Sequence, residues 1–83
     1  MREFIRKFIQ LNGKIATIFL EHCLFDRQCL EAQEIQVFED DERLGLILKG
    51  QDICVYKQRL RLMELHDHLV EFADDKLKIL IKF

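Results

Sequence analysis

A mainly β fold opened by one short N-terminal helix is what this sequence predicts, on three observations. Apolar residues up to Leu11 recur at helical spacing, the pattern after Gly13 has period two, and glycine and aspartate turn signals separate the later apolar runs. No linker, repeat or low-complexity segment divides residues 1–83. The chain therefore reads as a single domain, with a helix over 1–12 and antiparallel β structure over 14–83, either a small barrel or a strongly bent sheet with an extra C-terminal hairpin.

In "REFIRKFIQLNG", Phe4, Ile5, Phe8, Ile9 and Leu11 share one side of a helix and Arg2, Arg6, Lys7 and Gln10 take the other, with Asn12-Gly13 as the stop. That stripe is expected to pack across one end of a sheet. "KIATIFLEHCLF" alternates Ile15, Thr17 and Phe19 with Ala16, Ile18 and Leu20, so both faces of the strand are expected to be partly covered. In "LEAQEIQVF", Leu30 and Ala32 fall out of phase with Ile35 and Val37, a break that a one-residue bulge would repair. A short helix over 27–33 is the competing reading. The acidic run Glu39 to Glu42 sits where a solvated turn belongs and lacks the spaced oxygen ligands of a calcium loop.

"RLGLILK" and "DICVYKQ" read as a hairpin, with Gly50-Gln51 as a type II′ turn. Leu44, Leu46 and Leu48 alternate with Gly45, Ile47 and Lys49, and Ile53 and Val55 with Cys54 and Tyr56. "RLRLMEL" is expected to continue as a strand, Leu60 and Leu62 inward, Arg59 and Arg61 outward. A second hairpin, "HLVEF" with "KLKILIKF", turns around Ala73-Asp74-Asp75. Its last strand alternates Leu77, Ile79, Ile81 and Phe83 with lysines, and Lys76, Lys78 and Lys82 suit a sheet edge that must discourage pairing.

A domain of 83 residues buries only about 60% of the surface its unfolded chain exposes, so the core is modest or a partner extends it. With 49% hydrophobic residues, seven Phe and no proline, the chain should nevertheless fold. Thirteen basic against fifteen acidic side chains give a net charge of −2, which excludes the global positive field of most nucleic-acid binders. Cys23, Cys29 and Cys54 are an odd set without CxxC spacing, expected to be small buried hydrophobes in a reducing, cytoplasmic setting. Met1 to Phe8 is charged and short of a secretory apolar stretch, and no run approaches about 18 apolar residues, so a soluble protein without membrane contact is expected.

Chemistry-bearing constellations are few. "HDH" places His66 and His68 on one side of a strand about 6.6 Å apart, near enough to share a metal, but no third ligand lies close in sequence. A turn is the simpler reading, and no metal or cofactor is assigned. Cys23 beside His22 would put nucleophile and base on opposite strand faces. Without a phosphate loop or catalytic triad, an enzyme is not expected. The cluster Tyr56, Lys57, Gln58, Arg59 and Arg61 offers an aromatic platform among cations, a combination suited to single-stranded nucleic acid.

"NGKIATIFLE" resembles the first strand after the helix in the Sm-like family, including its Hfq branch, and "LILKGQDICVYKQRLRL" resembles that family's closing pair of strands. The resemblance implies a homo-oligomeric small barrel that binds single-stranded RNA, with Tyr56 and Lys57 at the pore and Gln58 in place of the family's histidine. On that expectation Tyr56 stacks a base while Lys57, Arg59 and Arg61 meet phosphates. The alternative is a protein-interaction or assembly module with no nucleic-acid role, using strand edges or the helix.

Overall fold

Phe4 and Phe8, four residues apart, project from the same side of helix α1 (Arg2–Ile9) and are both buried. The computed structural model, which describes residues 2–22, 27–48 and 50–83, is mainly β, with α1 as its one α-helix among those residues. The helix ends before the expected boundary at residue 12 because the N–H groups of Leu11 and Asn12 donate to Phe8 and Ile9 carbonyls, at 3.0 and 3.1 Å. Such i to i−3 bonds tighten the chain into turns.

After the helix come β1 (Ile15–His22), β2 (Arg27–Glu34), β3 (Gln36–Glu39), β4 (Arg43–Leu48), β5 (Gln51–Tyr56), β6 (Leu62–His66), β7 (Leu69–Ala73) and β8 (Leu77–Lys82). All pairings are antiparallel, in a five-stranded sheet ordered β2-β1-β8-β7-β6 and a three-stranded sheet ordered β3-β4-β5. The chain passes between sheets twice, at Ile35 and through a 3-10 turn at Lys57–Arg59. Ile35 is tied to the start of β1: its N–H donates to Lys14 O (3.0 Å) and its carbonyl accepts from Gly13 N–H (2.7 Å). Among the described residues the strands form these two sheets, with no ladder joining β5 to β6, and no closed barrel is found.

One apolar core is shared by helix and both sheets. Ala16, Ile18 and Leu20 of β1, Leu44, Leu46 and Leu48 of β4, Ile53 and Val55 of β5, and Ile79 and Ile81 of β8 are its buried strand positions, as alternation predicted. Phe72 of β7 receives the helix: the rings of Phe4 and Phe8 meet it edge-on at 6.0 and 5.4 Å.

The phase break after Leu30 is a bulge and not a helix. Between the pairs Ala16↔Gln33 and Ile18↔Leu30, β2 uses one more residue than β1, and Ala32 takes a left-handed φ of 51° to absorb it. The acidic run is a turn, as expected: Asp40 accepts N–H bonds from Glu42 (2.9 Å) and Arg43 (2.7 Å).

Several expectations are corrected. Leu48 pairs with Gln51, so Gly50, with φ +79°, is the second residue of that connection and not the first residue of a type II′ turn. Arg59 to Arg61 do not continue a strand. The 3-10 turn redirects the chain, and β6 begins only at Leu62. β8 is not an edge but the middle strand of its sheet, its lysines standing on the solvent face. Cys29 and Cys54 are exposed because each occupies an outward position, Cys29 opposite Phe19 and Cys54 opposite Gly45. The reading of Cys23 lies outside the described residues, as does that of Lys49. No helix among the described residues is long and apolar enough to cross a membrane.

Candidate functional site

The residues expected to bind nucleic acid divide into two groups. Tyr56 ends β5, and Lys57, Gln58 and Arg59 form the 3-10 turn immediately after it. Arg59 lies over the Tyr56 ring, its guanidinium carbon 5.8 Å from the centroid, and Tyr56 remains 44% exposed. Arg61 leaves this group and pairs with Asp75 beyond β7, Nε to Oδ1 at 2.7 Å. That guanidinium holds the Asp75 carboxyl below the ordinary aspartate range.

Carboxylates dominate the surroundings of Tyr56. Lys57 Nζ is paired with Glu39, and Arg43, the cross-strand partner of Tyr56, is paired with Asp40 at 3.3 Å. A depression lined by Asp41, Glu42, Tyr56, Lys57 and Gln58 sets the acidic turn against the proposed stacking platform. Two backbone N–H donors, those of Glu42 and Arg43, hold Asp40 below its ordinary pKa, so it stays ionised. A phosphate approaching Tyr56 would find Lys57 and Arg43 already matched and two further carboxylates nearby, with Arg59 outside any ion pair among the described residues.

The opposite side of Lys57 faces a different environment. A broad, open cleft of about 570 Å³ lies between α1 and the Glu39–Lys57 pair, with mostly apolar walls. Ile5 and Ile9, one helical turn apart, form its apolar wall, and Ile9 is 47% exposed. Arg2 and Arg6 border the same space, and among the described residues neither is within ion-pair distance of a carboxylate. The position of the helix is fixed by Phe4, Phe8 and Leu11 in the core and by Asn12, whose side-chain Oδ1 accepts the Val37 N–H at 2.9 Å. Helical spacing located the stripe, but which part would remain uncovered depended on where β3 passes.

The "HDH" histidines separate. Asp67 and His68 form the connection between β6 and β7, His66 pairing with Leu69 across it, and His68 stacks edge-on to Phe83 at 6.2 Å. His66 meets carboxylates instead: its Nε2 lies 3.2 Å from Glu71 Oε1 and 3.4 Å from Glu64 Oε2. Burial pushes the Glu71 carboxyl up, but His66, Glu64 and Lys78 more than offset this and leave it below the ordinary glutamate value. The Glu64-x-His66 spacing was a readable signal for one face of a strand, whereas Glu71 joins only through the β6/β7 register. Compared with protein-family models, curated proteins and solved structures, the chain matches none.

Proposed function

We propose that this domain is a non-enzymatic binding module that recognises a protein partner, and that the cleft beside α1 takes an acidic amphipathic segment of that partner. The observation that carries this reading is the pairing of an apolar wall, Ile5 and Ile9, with two guanidinium groups, Arg2 and Arg6, that no carboxylate neutralises within the described residues. Such a surface suits apolar anchors at helical spacing flanked by Asp or Glu. It is locally basic although the chain as a whole carries −2.

The test is a heteronuclear NMR titration with two designed helical peptides. One carries Leu anchors with Glu at the flanking positions, and the other replaces each Glu by Lys. Shifts confined to residues 2–10, Glu39 and Lys57 with the Glu peptide, lost in Arg2→Glu/Arg6→Glu, are expected. Equal binding of the Lys peptide, or shifts elsewhere, would overturn the proposal.

A second reading, an Sm-like homo-oligomer binding single-stranded RNA in the cytoplasm, is favoured by the exposed Tyr56 ring with Arg59 stacked on it. Light scattering with a uridine-rich oligonucleotide tests it. A ring of several subunits that binds the oligonucleotide and releases it as salt rises supports that reading. Unchanged RNA affinity in Lys57→Glu removes Lys57 from the site.

A further inference from the structure

Glu64 and His66 are two residues apart on β6 and so project from the same face, while Glu71 lies directly opposite Glu64 on β7. Like charges opposed across an antiparallel pair repel. Here one of them, Glu71, is only 9% exposed. The site therefore favours positive charge held between the strands. Lys78 of β8 supplies part of it from one side, its Nζ 3.4 Å from Glu71 Oε2. The other oxygen, Oε1, turns toward His66.

We propose that Glu64, His66 and Glu71 form a binding site for a divalent transition-metal ion of the zinc class. The donor atoms lie within 4.8 Å of one another. Two of their separations, 3.2 and 3.4 Å from His66 Nε2, match the donor-to-donor edge of about 3.3–3.4 Å that metal bonds of about 2.0–2.1 Å give a tetrahedron. Little rearrangement would bring the ion into bonding distance of imidazole and carboxylates alike. One nitrogen with two carboxylate oxygens selects zinc-class ions over calcium or magnesium, which prefer all-oxygen shells.

The surroundings support the same assignment. Lys78 holds the non-ligating oxygen of Glu71 and so fixes which oxygen faces the metal, the orienting role that outer groups play around metal ligands. Both strands belong to one sheet, with Met63↔Phe72 and Leu65↔Val70 pairs flanking the site, and Phe72 and Val70 are buried in the core. Ligand positions are thereby set by the ladder and not by a loop. His66 and Glu64 side chains are about half exposed, at 49% and 50%, which leaves an entry path from solvent and a fourth position open to water or to a partner's donor.

The test uses the full chain, stripped of metal, in non-coordinating buffer at pH 7. Calorimetric titration with zinc chloride is expected to show one ion per chain, and cobalt(II) a tetrahedral visible spectrum without thiolate charge-transfer absorption. His66→Ala and Glu64→Gln, both half-exposed positions, should keep the circular dichroism of the parent and lose at least about tenfold in affinity. Because thiols also bind zinc, the titration is repeated in Cys23→Ser/Cys29→Ser/Cys54→Ser, where binding is expected to persist. Any of three results would overturn the proposal: no saturable zinc binding, parental affinity in His66→Ala, or loss of binding in the triple serine variant. Displacement of zinc by calcium or magnesium at tenfold excess would overturn the assignment to the zinc class.

Discussion

Gly45→Ala tests the packing of β4 against β5 at its closest point. A methyl group on Gly45 would lie 2.1 Å from the Ile53 carbonyl oxygen, 2.7 Å from Cys54 Cα and 2.9 Å from Cys54 Cβ. Real Cβ atoms essentially never approach closer than 3.0 Å, so the strands must separate locally by about 0.9 Å. A movement of that size carries ladder hydrogen bonds out of their normal range of about 2.7–3.2 Å. Overpacking costs about 1–3 kcal/mol and a lost bond about 1 kcal/mol, giving an expected destabilisation of about 3 kcal/mol.

A domain of this length has about 4–12 kcal/mol in all, at about 0.05–0.15 kcal/mol per residue. The substitution therefore removes a large share. Thermal unfolding followed by circular dichroism should show a midpoint lowered by about 12–24 °C, at about 4–8 °C per kcal/mol. Gly50→Ala is the control: nothing lies within 4 Å of the added methyl, and only its φ of +79° is strained. It should cost about 1 kcal/mol. If Gly45→Ala lowered stability by less than about 1 kcal/mol, the close approach of β4 and β5 would be wrong.

Other substitutions probe the remaining supports. Phe8→Ala, at a fully buried position in edge contact with Phe72, should cost about 3–5 kcal/mol in urea unfolding; a loss below about 1.5 kcal/mol would mean that the helix is not docked on the sheet. Asn12→Ala removes the acceptor for the Val37 N–H and should cost about 1 kcal/mol, with NMR shifts at Val37; an unperturbed Val37 would refute the tie between helix end and β3. Asp40 and Asp75 are held below their ordinary pKa, by backbone N–H donors and by Arg61 respectively, so the unfolded chain binds their protons more readily. Each contributes stability that is complete above about pH 4 and is lost as pH falls through the folded pKa. Stability measured across that acid range should fall less steeply in Asp40→Asn/Asp75→Asn, and superimposable profiles would refute the assignment.

Local chemistry alone determined much of this protein. Helical spacing of Phe4, Phe8 and Leu11, alternation in β1, β4, β5 and β8 and the aspartate turns were legible, and the bulge after Leu30 was one of two readings, because each depends on residues within a few positions of one another. Redirection of the chain at Lys57–Arg59 was not legible, since Arg59 to Leu62 alternates as a strand does and so hides the turn that overlaps its first residue. Nor was the position of β8, whose lysines mark a solvent face and are equally at home in the middle of a sheet.

Only the tertiary structure decided the sites. Lys57 meets Glu39 and Arg61 meets Asp75 across long sequence separations, so two of the three cations that looked available for phosphate have partners. The same long-range register brings Glu71 to His66 and leaves His68 in a turn, while the passage of β3 beside α1 leaves Ile5 and Ile9 facing a cleft. A strand or helix is favoured by its own residues, but charge pairing and uncovered surface depend on which elements become neighbours. That follows from burying one shared core, a property of the whole chain.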